Sequence, residues 1–285
     1  MKSHPFHFIK TVIQPFFYCM SIMLALGLSA CGGGGGGSTQ NTPVVSTNTS
    51  LIAPGVYIGN DVNGKEWVGI LQLASSGLSN FYGLYYLGND PELYTASGQL
   101  TGGASASISS VVLFEDYTKQ IARTGTGTLS SSQNNAVKID FNFPATSTAN
   151  GKQVIFSATT TPSGYNPSTL ATLSSISGDW SGRWTFGGVG NADFRISITP
   201  EGNVTSAGPF QAECFLTEGK LTASENNLFT FSVRIPTQTL CTSFGGKTLN
   251  GVAFIQNSPV AGKTQRLYLV GVTPDGRGVS FKADR

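Results

Sequence analysis

The sequence is poor in histidine, and this shortage limits the chemistry that the protein can perform. It contains two histidines, His4 and His7, both close to the N-terminus. If that segment is removed during secretion, as its composition predicts below, the remaining chain has no imidazole. It then lacks the general base of serine–histidine and cysteine–histidine nucleophilic mechanisms and every histidine-ligated metal site. We therefore expect a protein that is not an enzyme and that holds no metal and no cofactor.

Charged side chains are also scarce, at 11% of the residues. The formal net charge of +2 arises from 17 basic and 15 acidic residues. Lys2 and Lys10 lie in the same N-terminal segment as the histidines, and no acidic residue does. The chain that remains is neutral and has no run of like charge. Because a protein without a basic surface does not attract phosphate backbones, we expect no nucleic-acid binding.

What the N-terminal segment does contain is the pattern of a secretion signal. Two lysines precede residue 11, and the chain from there to residue 28 is mostly apolar. An uncleaved transmembrane helix is the alternative, since about 18 apolar residues can span a bilayer. Gln14 and Pro15, however, shorten the apolar run to a length that is typical of a signal peptide. We therefore expect residues 1–30 to be a removable signal.

The apolar run ends in a short motif that indicates the kind of signal. The motif is Leu28-Ser29-Ala30-Cys31, and it resembles the lipobox of bacterial lipoproteins. The resemblance implies that cleavage precedes Cys31, that its sulfur carries a diacylglyceryl group and that its new amino group is acylated, as with palmitate. Each buried CH₂ contributes ~0.8 kcal/mol, so several acyl chains hold a protein firmly to a membrane. By the same analogy, Gly32 favours the outer membrane, because aspartate at that position retains many Gram-negative lipoproteins at the inner membrane.

A stretch without charge follows Cys31. Residues 32–37 are six consecutive glycines, and Ser, Thr and Asn dominate from there to residue 50. Gly-rich chains are flexible coils, so residues 32–53 separate the anchor from the body by about 25 Å. Polyglycine after a lipidated cysteine is similar to the tether of surface-exposed lipoproteins such as the transferrin-binding and factor-H-binding proteins. A generic spacer is the alternative. Residues 31–53 are therefore assigned to the lipidated cysteine and its tether.

The rest of the chain has the composition of β-structure and is arranged in two similar halves. Short runs rich in Val, Thr, Phe and Tyr alternate apolar and polar positions, as in residues 137–143 and 193–199. Such alternation is typical of strands with one solvated face. The first half opens with Gly55-Val56-Tyr57-Ile58-Gly59, and the second half opens with Gly178-Asp179-Trp180-Ser181-Gly182. The repeated Gly-x-aromatic-x-Gly pattern suggests that the two halves share one fold.

These features predict an all-β protein with two domains, residues 54–160 and 177–285, joined by a linker with a short helical turn at residues 161–176. Short spacing between strands and tight turns such as Pro200-Glu201-Gly202-Asn203 indicate antiparallel meanders. Closing a meander into an up-and-down barrel removes its exposed edges, so we expect two tandem small barrels. A pair of β-sandwiches is the alternative architecture.

The start of the second half resembles a known group of barrels. Gly178-x-Trp180 after a short helical turn is similar to the opening of the lipocalin and avidin-like families. In those families the tryptophan packs at the closed end of the barrel against a basic residue of the last strand. The resemblance implies that Lys282 or Arg285 takes that role here. The first half departs from the pattern, because Tyr57 replaces the tryptophan and no obvious basic residue lies in its last strand.

Cysteine is scarce, and its positions predict one disulfide. Cys19 leaves with the signal and Cys31 carries lipid, so Cys214 and Cys241 remain in a compartment where disulfides persist. Pairing them closes a loop of about 28 residues, which contributes roughly 3–4 kcal/mol in the chain-entropy account. Two separate buried thiols are the alternative. A zinc site is not supported, since two cysteines without histidine do not complete one.

The most unusual predicted strand is apolar on both faces. It reads Phe81-Tyr82-Gly83-Leu84-Tyr85-Tyr86. The tyrosines Tyr82, Tyr85 and Tyr86 are candidates for a contact surface, because tyrosine is enriched at protein interfaces. The alternative is that one face of the strand belongs to the core of its domain while the second domain packs on the other face.

Together these patterns favour a non-enzymatic lipoprotein of the outer membrane that binds a macromolecule of the envelope or of the extracellular space. One alternative is a lipocalin-like carrier of a small apolar ligand, which needs an open and apolar barrel interior. Another is an inhibitor of a hydrolase, for which residues 236–246, held by Cys241, are the candidate inhibitory loop. The membrane, reached through the lipid anchor, is the one partner that the sequence specifies.

Overall fold

A computed structural model describes the body of the protein. The described residues are 52–60, 64–73, 78–86, 91–99, 105–114, 122–131, 136–147, 150–186, 190–206, 218–235, 237, 245–274 and 278–285. They belong to one compact unit, Thr47–Arg285. The predicted signal, Cys31, most of the tether, Cys214 and Cys241 lie outside the described residues.

The first eight strands form a closed antiparallel barrel. Each strand pairs with the next one in the chain, and β8 returns to pair with β1. The strands are β1 Gly55–Asn60, β2 Glu66–Leu73, β3 Leu78–Tyr86, β4 Pro91–Gln99, β5 Ser105–Phe114, β6 Ala122–Ser131, β7 Val137–Phe143 and β8 Lys152–Thr160. This up-and-down order is the one that hairpin connections produce.

The second eight strands repeat this architecture after a one-turn helix, α1 Leu173–Ile176. The strands are β9 Gly178–Phe186, β10 Gly190–Ile198, β11 Asn203–Ser206, β12 Glu218–Ala223, β13 Phe229–Arg234, β14 Thr248–Asn257, β15 Gln265–Val272 and β16 Gly278–Asp284. The prediction of an all-β protein with two tandem up-and-down barrels is confirmed, and each sheet closes on itself as a sandwich sheet does not. No helix in the described segments has the length and apolar character needed to cross a bilayer.

Aromatic rings packed over glycines fill the described interior of the first barrel. Trp67 stacks on Phe156 with ring centroids 5.1 Å apart, and a Cβ atom on neighbouring Gly69 would overlap the Trp67 ring. The Phe141 ring lies in the same way over Gly127 on the adjacent strand. A large ring therefore occupies the space that each of these glycines leaves.

The second barrel is filled by a similar set of side chains. Trp184 lies between Phe194 and Phe281, with ring centroids at 5.7 Å and 5.4 Å. The Phe231 ring of β13 covers Gly251 of β14 and Gly271 of β15. These inward residues are almost completely buried. The core therefore follows directly from the period-2 alternation of apolar residues in the sequence.

The Gly-x-aromatic-x-Gly repeat performs the same task in both barrels. The first glycine of each repeat, Gly55 or Gly178, has a positive φ, 142° and 119° respectively. The aromatic residue then donates a hydrogen bond to the carbonyl four residues earlier: Tyr57 Oη to Ala53, and Trp180 Nε1 to Ile176. Both rings are thereby fixed to the segment that precedes their barrel. The two halves therefore resemble each other in structure as well as in sequence.

The second glycine of each repeat lies where its barrel closes. A Cβ atom on Gly59 would overlap the backbone of Ser157 and Ala158, and one on Gly182 would overlap the backbone of Lys282 and Ala283. These positions pair the first strand of each barrel with its last strand. Glycine is required here because the two backbones approach more closely than any side chain allows.

The two barrels pack side by side through their outer faces. Val68 and Ile70 of β2 belong to the same buried cluster as Phe254 of β14 and Tyr268 of β15. Phe254 and Tyr268 stack with centroids 4.9 Å apart. In the linker, Tyr165 meets Phe254 edge-on at 5.9 Å and donates a hydrogen bond to the Asn226 carbonyl. Their apolar outer faces therefore form a third core between the barrels.

Candidate functional site

Up-and-down connectivity gives the body two different ends. At the end that we name the terminal end, β1 and β9 begin and β8 and β16 finish. A Cβ atom on Gly55 would lie 3.4 Å from Tyr165 Oη and 3.5 Å from Pro167 Cβ. The start of the first barrel therefore lies beside the linker that enters the second. The chain that follows Cys31 reaches the body at this end.

The opposite end, which we name the loop end, carries the long connections of the second barrel. Residues 207–217 connect β11 to β12, and residues 235–247 connect β13 to β14. At the terminal end the second barrel has the shorter turns 199–202, 224–228 and 258–264. Long surface connections on a rigid scaffold are where binding residues concentrate. The loop end is therefore the candidate functional end of the molecule.

An open hollow lies on the outer face of the second barrel, beside β11, β12 and β13. Its volume is about 540 Å³, and it is open to solvent. Its lining residues are Asn203, Val204, Thr205, Glu218, Gly219, Lys220, Ser232, Arg234 and Thr248. Pairing between β11 and β12 ends at Val204 and Gly219. The hollow forms where these two strands stop pairing.

The charges of the hollow are mixed. Glu218 and Arg234 are register partners on β12 and β13, and both are exposed. Lys220 donates hydrogen bonds to the Glu201 carbonyl at 2.7 Å and to Asn203 Oδ1 at 3.0 Å. This surface offers donors and an acceptor to a polar partner. Among the described residues, Glu218 is the carboxylate that lines the hollow.

The strands also place the two cysteine-containing connections next to each other. Residues 207–217, which include Cys214, lead directly into Glu218. Residues 235–247, which include Cys241, follow directly after Arg234. Paired residues on antiparallel strands lie about 5 Å apart. Both cysteines are thus four to seven residues from one pair of adjacent strand ends, and the disulfide stays a prediction that this topology allows.

Removing the predicted disulfide should destabilise the second barrel. The variant with Cys214→Ser and Cys241→Ser is expected to lose roughly 3–4 kcal/mol of unfolding free energy, because its unfolded chain is no longer constrained. Urea unfolding in the absence of reductant measures the loss, and wild-type protein with reductant should match the variant. Two free thiols in denatured, unreduced wild-type protein would contradict the disulfide.

The described inward side chains of each barrel pack closely together. Inward side chains of the first barrel form one buried cluster, and those of the second barrel form another. Near the loop end of the first barrel, Arg123 is 7% exposed and lies with its guanidinium 6.0 Å from the Phe143 ring centroid. It also donates a hydrogen bond to the Asn150 carbonyl. The lipocalin-like carrier, which needs an open, apolar interior, stays an alternative.

The tyrosine stretch of β3 faces the second barrel at Tyr82. This side chain is 9% exposed and belongs to the cluster between the barrels. Burial raises its pKa above the ordinary value. The side chains of Tyr85 and Tyr86 lie outside the described part of the structure. Tyr82 is therefore covered by the other barrel, as in the packing alternative given above.

A polar network lies at the edge of the interface between the barrels. Tyr268 Oη donates a hydrogen bond to Glu66 Oε1 of the first barrel at 3.1 Å, and burial raises the pKa of Tyr268. Beside it, Arg266 holds Asp284 through two hydrogen bonds, at 2.9 Å and 3.0 Å. Partial burial alone would raise the pKa of Asp284, but the hydrogen bonds from Arg266 and Ser258 hold it below its usual value. The network joins the barrels and satisfies buried polar groups.

At the terminal end of the second barrel, a basic residue covers Trp180. Arg285 places its guanidinium 4.2 Å from the Trp180 ring centroid. It also donates hydrogen bonds to the carbonyls of Ser175 and Ser177. The basic partner is thus Arg285, while Lys282 pairs with Arg183 in register on the outer face. These contacts make Arg285 and α1 a plug over Trp180 at the terminal end.

The described residues contain no group of histidine, cysteine, aspartate and glutamate side chains that could hold a metal ion. The sequence points to residues 236–246 as a candidate inhibitory loop and to Glu218 as one of several surface carboxylates, but it does not single out Lys220 or Arg234. These three residues come from two strands that the sequence does not mark as functional. The unequal lengths of the connections between predicted strands were the signal that could have indicated this end.

No protein-family model matches the chain, and no curated protein does. Among solved structures, it is similar to a "putative outer membrane protein" of Bacteroides fragilis NCTC 9343, with 16% identity, 81% of this chain and 97% of that chain covered, and a TM-score of 0.28. It is also similar to a protein with unknown function from the DUF3598 family of Nostoc punctiforme PCC 73102. That match has 10% identity, covers 81% of this chain and 96% of the other, and has a TM-score of 0.25.

Proposed function

We propose that the protein is a lipid-anchored lipoprotein of the outer membrane that acts as a non-enzymatic binding module. In this proposal, Cys31 carries the lipid, residues 32–53 form the tether, and the loop end of the double barrel contacts a macromolecule of the envelope or the extracellular space. The observation that carries the proposal is that the fold has two different ends. The chain from Cys31 enters at the terminal end, and the long connections of the second barrel lie at the opposite end.

A fold with two different ends suits a binding module on a membrane. A flexible tether allows the body to extend about 25 Å from the bilayer, and its attachment at the terminal end leaves the loop end free to face away. In this proposal, the specificity of binding resides in residues 207–217 and 235–247 and in the open hollow beside β11, β12 and β13.

A macromolecular partner fits the surface better than a small apolar ligand. The described inward side chains of each barrel form a buried cluster of their own. The hollow is open to solvent, and its lining includes Glu218, Lys220 and Arg234. The mixed charges of Glu218, Lys220 and Arg234 match the polar rim of a protein–protein interface.

Metabolic labelling with palmitate tests the anchor. Wild-type protein expressed with its own signal should incorporate label and fractionate with the outer membrane, whereas Cys31→Ser should incorporate none and leave the membrane fraction. Intact mass after signal cleavage gives the same answer independently. An unmodified chain that still begins at Met1 would contradict the proposal. Cys19→Ser is the matched control, because it removes a thiol from the signal and should not affect labelling.

Site-specific photo-crosslinking tests the binding end. A photoreactive residue at Arg234 or Thr248, both in the hollow, should crosslink a specific envelope or extracellular component in living cells. The same residue at Glu225, in a turn of the terminal end, is the control and should not capture that component. Equal capture from both positions, or none from the hollow, would contradict a binding role for the loop end.

A further inference from the structure

The open hollow on the second barrel brings two positively charged side chains onto one face of the sheet. Lys220 of β12 pairs with Ser232 of β13, and Arg234 follows Ser232 by two residues. Because alternate residues of a strand point to the same face, Arg234 is the diagonal neighbour of Lys220. Diagonal neighbours lie about 7–8 Å apart, within reach of long side chains. Lys220 and Arg234 both line the hollow, so both can contact one group that enters it.

Hydrogen bonds hold the Lys220 ammonium in position. It donates to the Glu201 carbonyl at 2.7 Å and to Asn203 Oδ1 at 3.0 Å. An ammonium group has three N–H donors, so these two bonds leave one donor for a further acceptor. Ordering a long side chain costs binding free energy. Because Lys220 is already ordered by its two partners, a ligand avoids much of that cost.

Arg234 is available for binding in a different way. Its side chain is exposed, and it is the register partner of Glu218 on β12. Within the part of the chain that the structure describes, no ion pair or side-chain hydrogen bond engages Arg234, not even with Glu218. A guanidinium group can hold a carboxylate through two parallel N–H···O bonds. All of the Arg234 side-chain donors therefore remain for a partner.

The charges of the hollow indicate the chemistry of its ligand. The lining contains two positive residues, Lys220 and Arg234, and one negative residue, Glu218. The excess of positive charge favours an anion. A carboxylate can accept a bidentate pair from a guanidinium and still accept from an ammonium, because it has about four lone-pair sites. A nucleic-acid backbone is a poorer match, since its binding depends on contacts with many phosphates.

We propose that the hollow receives a carboxylate side chain from an acidic segment of a protein partner. Arg234 supplies two parallel donors, and Lys220 supplies its remaining donor. Glu218 lies opposite Arg234 and repels the same carboxylate, which keeps the affinity moderate and the complex reversible. A protein is the partner that the mixed charges favour, since interfaces between proteins have a polar rim. The inference rests on the proposed function, because it names the chemistry of the macromolecule that the loop end contacts.

Binding of a labelled hexaglutamate peptide to the full mature chain tests the site. Fluorescence polarisation at low salt, where exposed charges are least screened, measures the affinity. Arg234→Gln and Lys220→Gln should each weaken binding by up to about fivefold, the size of an exposed ion pair. Glu218→Gln should strengthen binding by a similar factor, because it removes the repulsion. Opposite effects at neighbouring positions are the expected result, and a general loss of structure cannot produce a gain.

Two variants at the terminal end are the matched controls. Lys263→Gln and Glu225→Gln remove the same charges from turns of the second barrel outside the hollow, and they should leave the affinity for hexaglutamate unchanged. If Lys263→Gln weakens binding as much as Arg234→Gln does, the peptide responds to net charge, and the site is overturned. An affinity that Glu218→Gln does not raise overturns the site as well.

An acidic polysaccharide distinguishes a glycan partner from a protein partner. Polygalacturonate that binds with dependence on Arg234, while hexaglutamate does not bind, would overturn the protein partner in favour of a glycan. Photo-crosslinking from Thr248 in cells reports the proposed function separately. A specific crosslink, combined with hexaglutamate binding that none of the hollow variants changes, overturns the carboxylate site and leaves the binding role intact. If the crosslink is also absent, both proposals are overturned.

Discussion

Trp180→Ala is expected to lower the unfolding free energy by about 3–5 kcal/mol, as large aromatic truncations in cores do. Trp180 is completely buried, and its ring lies under the Arg285 guanidinium. Its Nε1 donates the 2.7 Å hydrogen bond to the Ile176 carbonyl that fixes α1 over the end of the second barrel. The truncation removes the ring, leaves a cavity and deprives both of these groups of their partner. Urea unfolding followed by far-UV circular dichroism measures the loss.

Two further variants separate packing from hydrogen bonding at this plug. Trp180→Phe keeps an aromatic ring beneath Arg285 but removes the donor to Ile176, so it should cost about 1–2 kcal/mol. Tyr57→Ala, at the equivalent position of the first barrel, should cost less than Trp180→Ala, because Tyr57 is only half-buried and has no cation over its ring among the described contacts. Equal losses for Trp180→Ala and Tyr57→Ala would show that Arg285 and α1 do not strengthen the second plug.

The barrel architecture could be predicted from the sequence because its determinants are local. In β7, Val137–Phe143, the burial alternates in step with the apolar residues of the sequence. Tight turns such as the one at Gly202, where φ is 84°, fix each hairpin separately. Once every strand pairs with the next, closure is the remaining way to satisfy the two edges. Neither step requires knowledge of distant contacts.

The identity of the residue that covers Trp180 could not be decided in this way. Lys282 and Arg285 were equally good candidates in the sequence, since both are basic and both lie near the C-terminus. The structure excludes Lys282 because Phe281 and Ala283 face the core, and alternation then turns Lys282 outward. Arg285 follows the last strand and can turn over the end of the barrel. The direction of the chain after β16 decides whether Arg285 reaches Trp180, and a single sequence does not reveal that direction.

For the same reason, the sequence could not predict the interface between the two barrels or the open hollow on the second barrel. Both depend on tertiary placement. The sequence indicated that the stretch Phe81–Tyr86 is apolar on both faces, but not that Val68 and Tyr268 would lie in the cluster between the barrels. The hollow requires Glu218 and Arg234 to be opposite each other, and this follows from strand register across β12 and β13. Sequence patterns report which face of a strand is buried, whereas register decides which residues meet.

Gly182→Ala is expected to destabilise the protein by about 3 kcal/mol or more, at the upper end of overpacking effects, because the added methyl group meets backbone and not a movable side chain. The Cβ atom would overlap the backbone of Lys282 and Ala283 at the point where β9 pairs with β16. Relief requires the two strands to separate, which breaks the hydrogen bonds that close the second barrel. Gly59→Ala should have the same effect on the first barrel, where the overlap is with Ser157 and Ala158.

Gly151→Ala is the matched control for these closure variants. Its added Cβ atom would lie no closer than 3.5 Å to any neighbour, an ordinary contact distance, and its stability should stay within about 0.5 kcal/mol of wild type, as is usual for surface substitutions. Urea midpoints and soluble yields of the three variants, measured together, test the idea. If Gly182→Ala behaved like Gly151→Ala, close approach of the first and last strands would not be what closes the barrel. If both closure variants lost stability and the control did not, the repeated glycine would be the residue that allows each half of the chain to close its sheet.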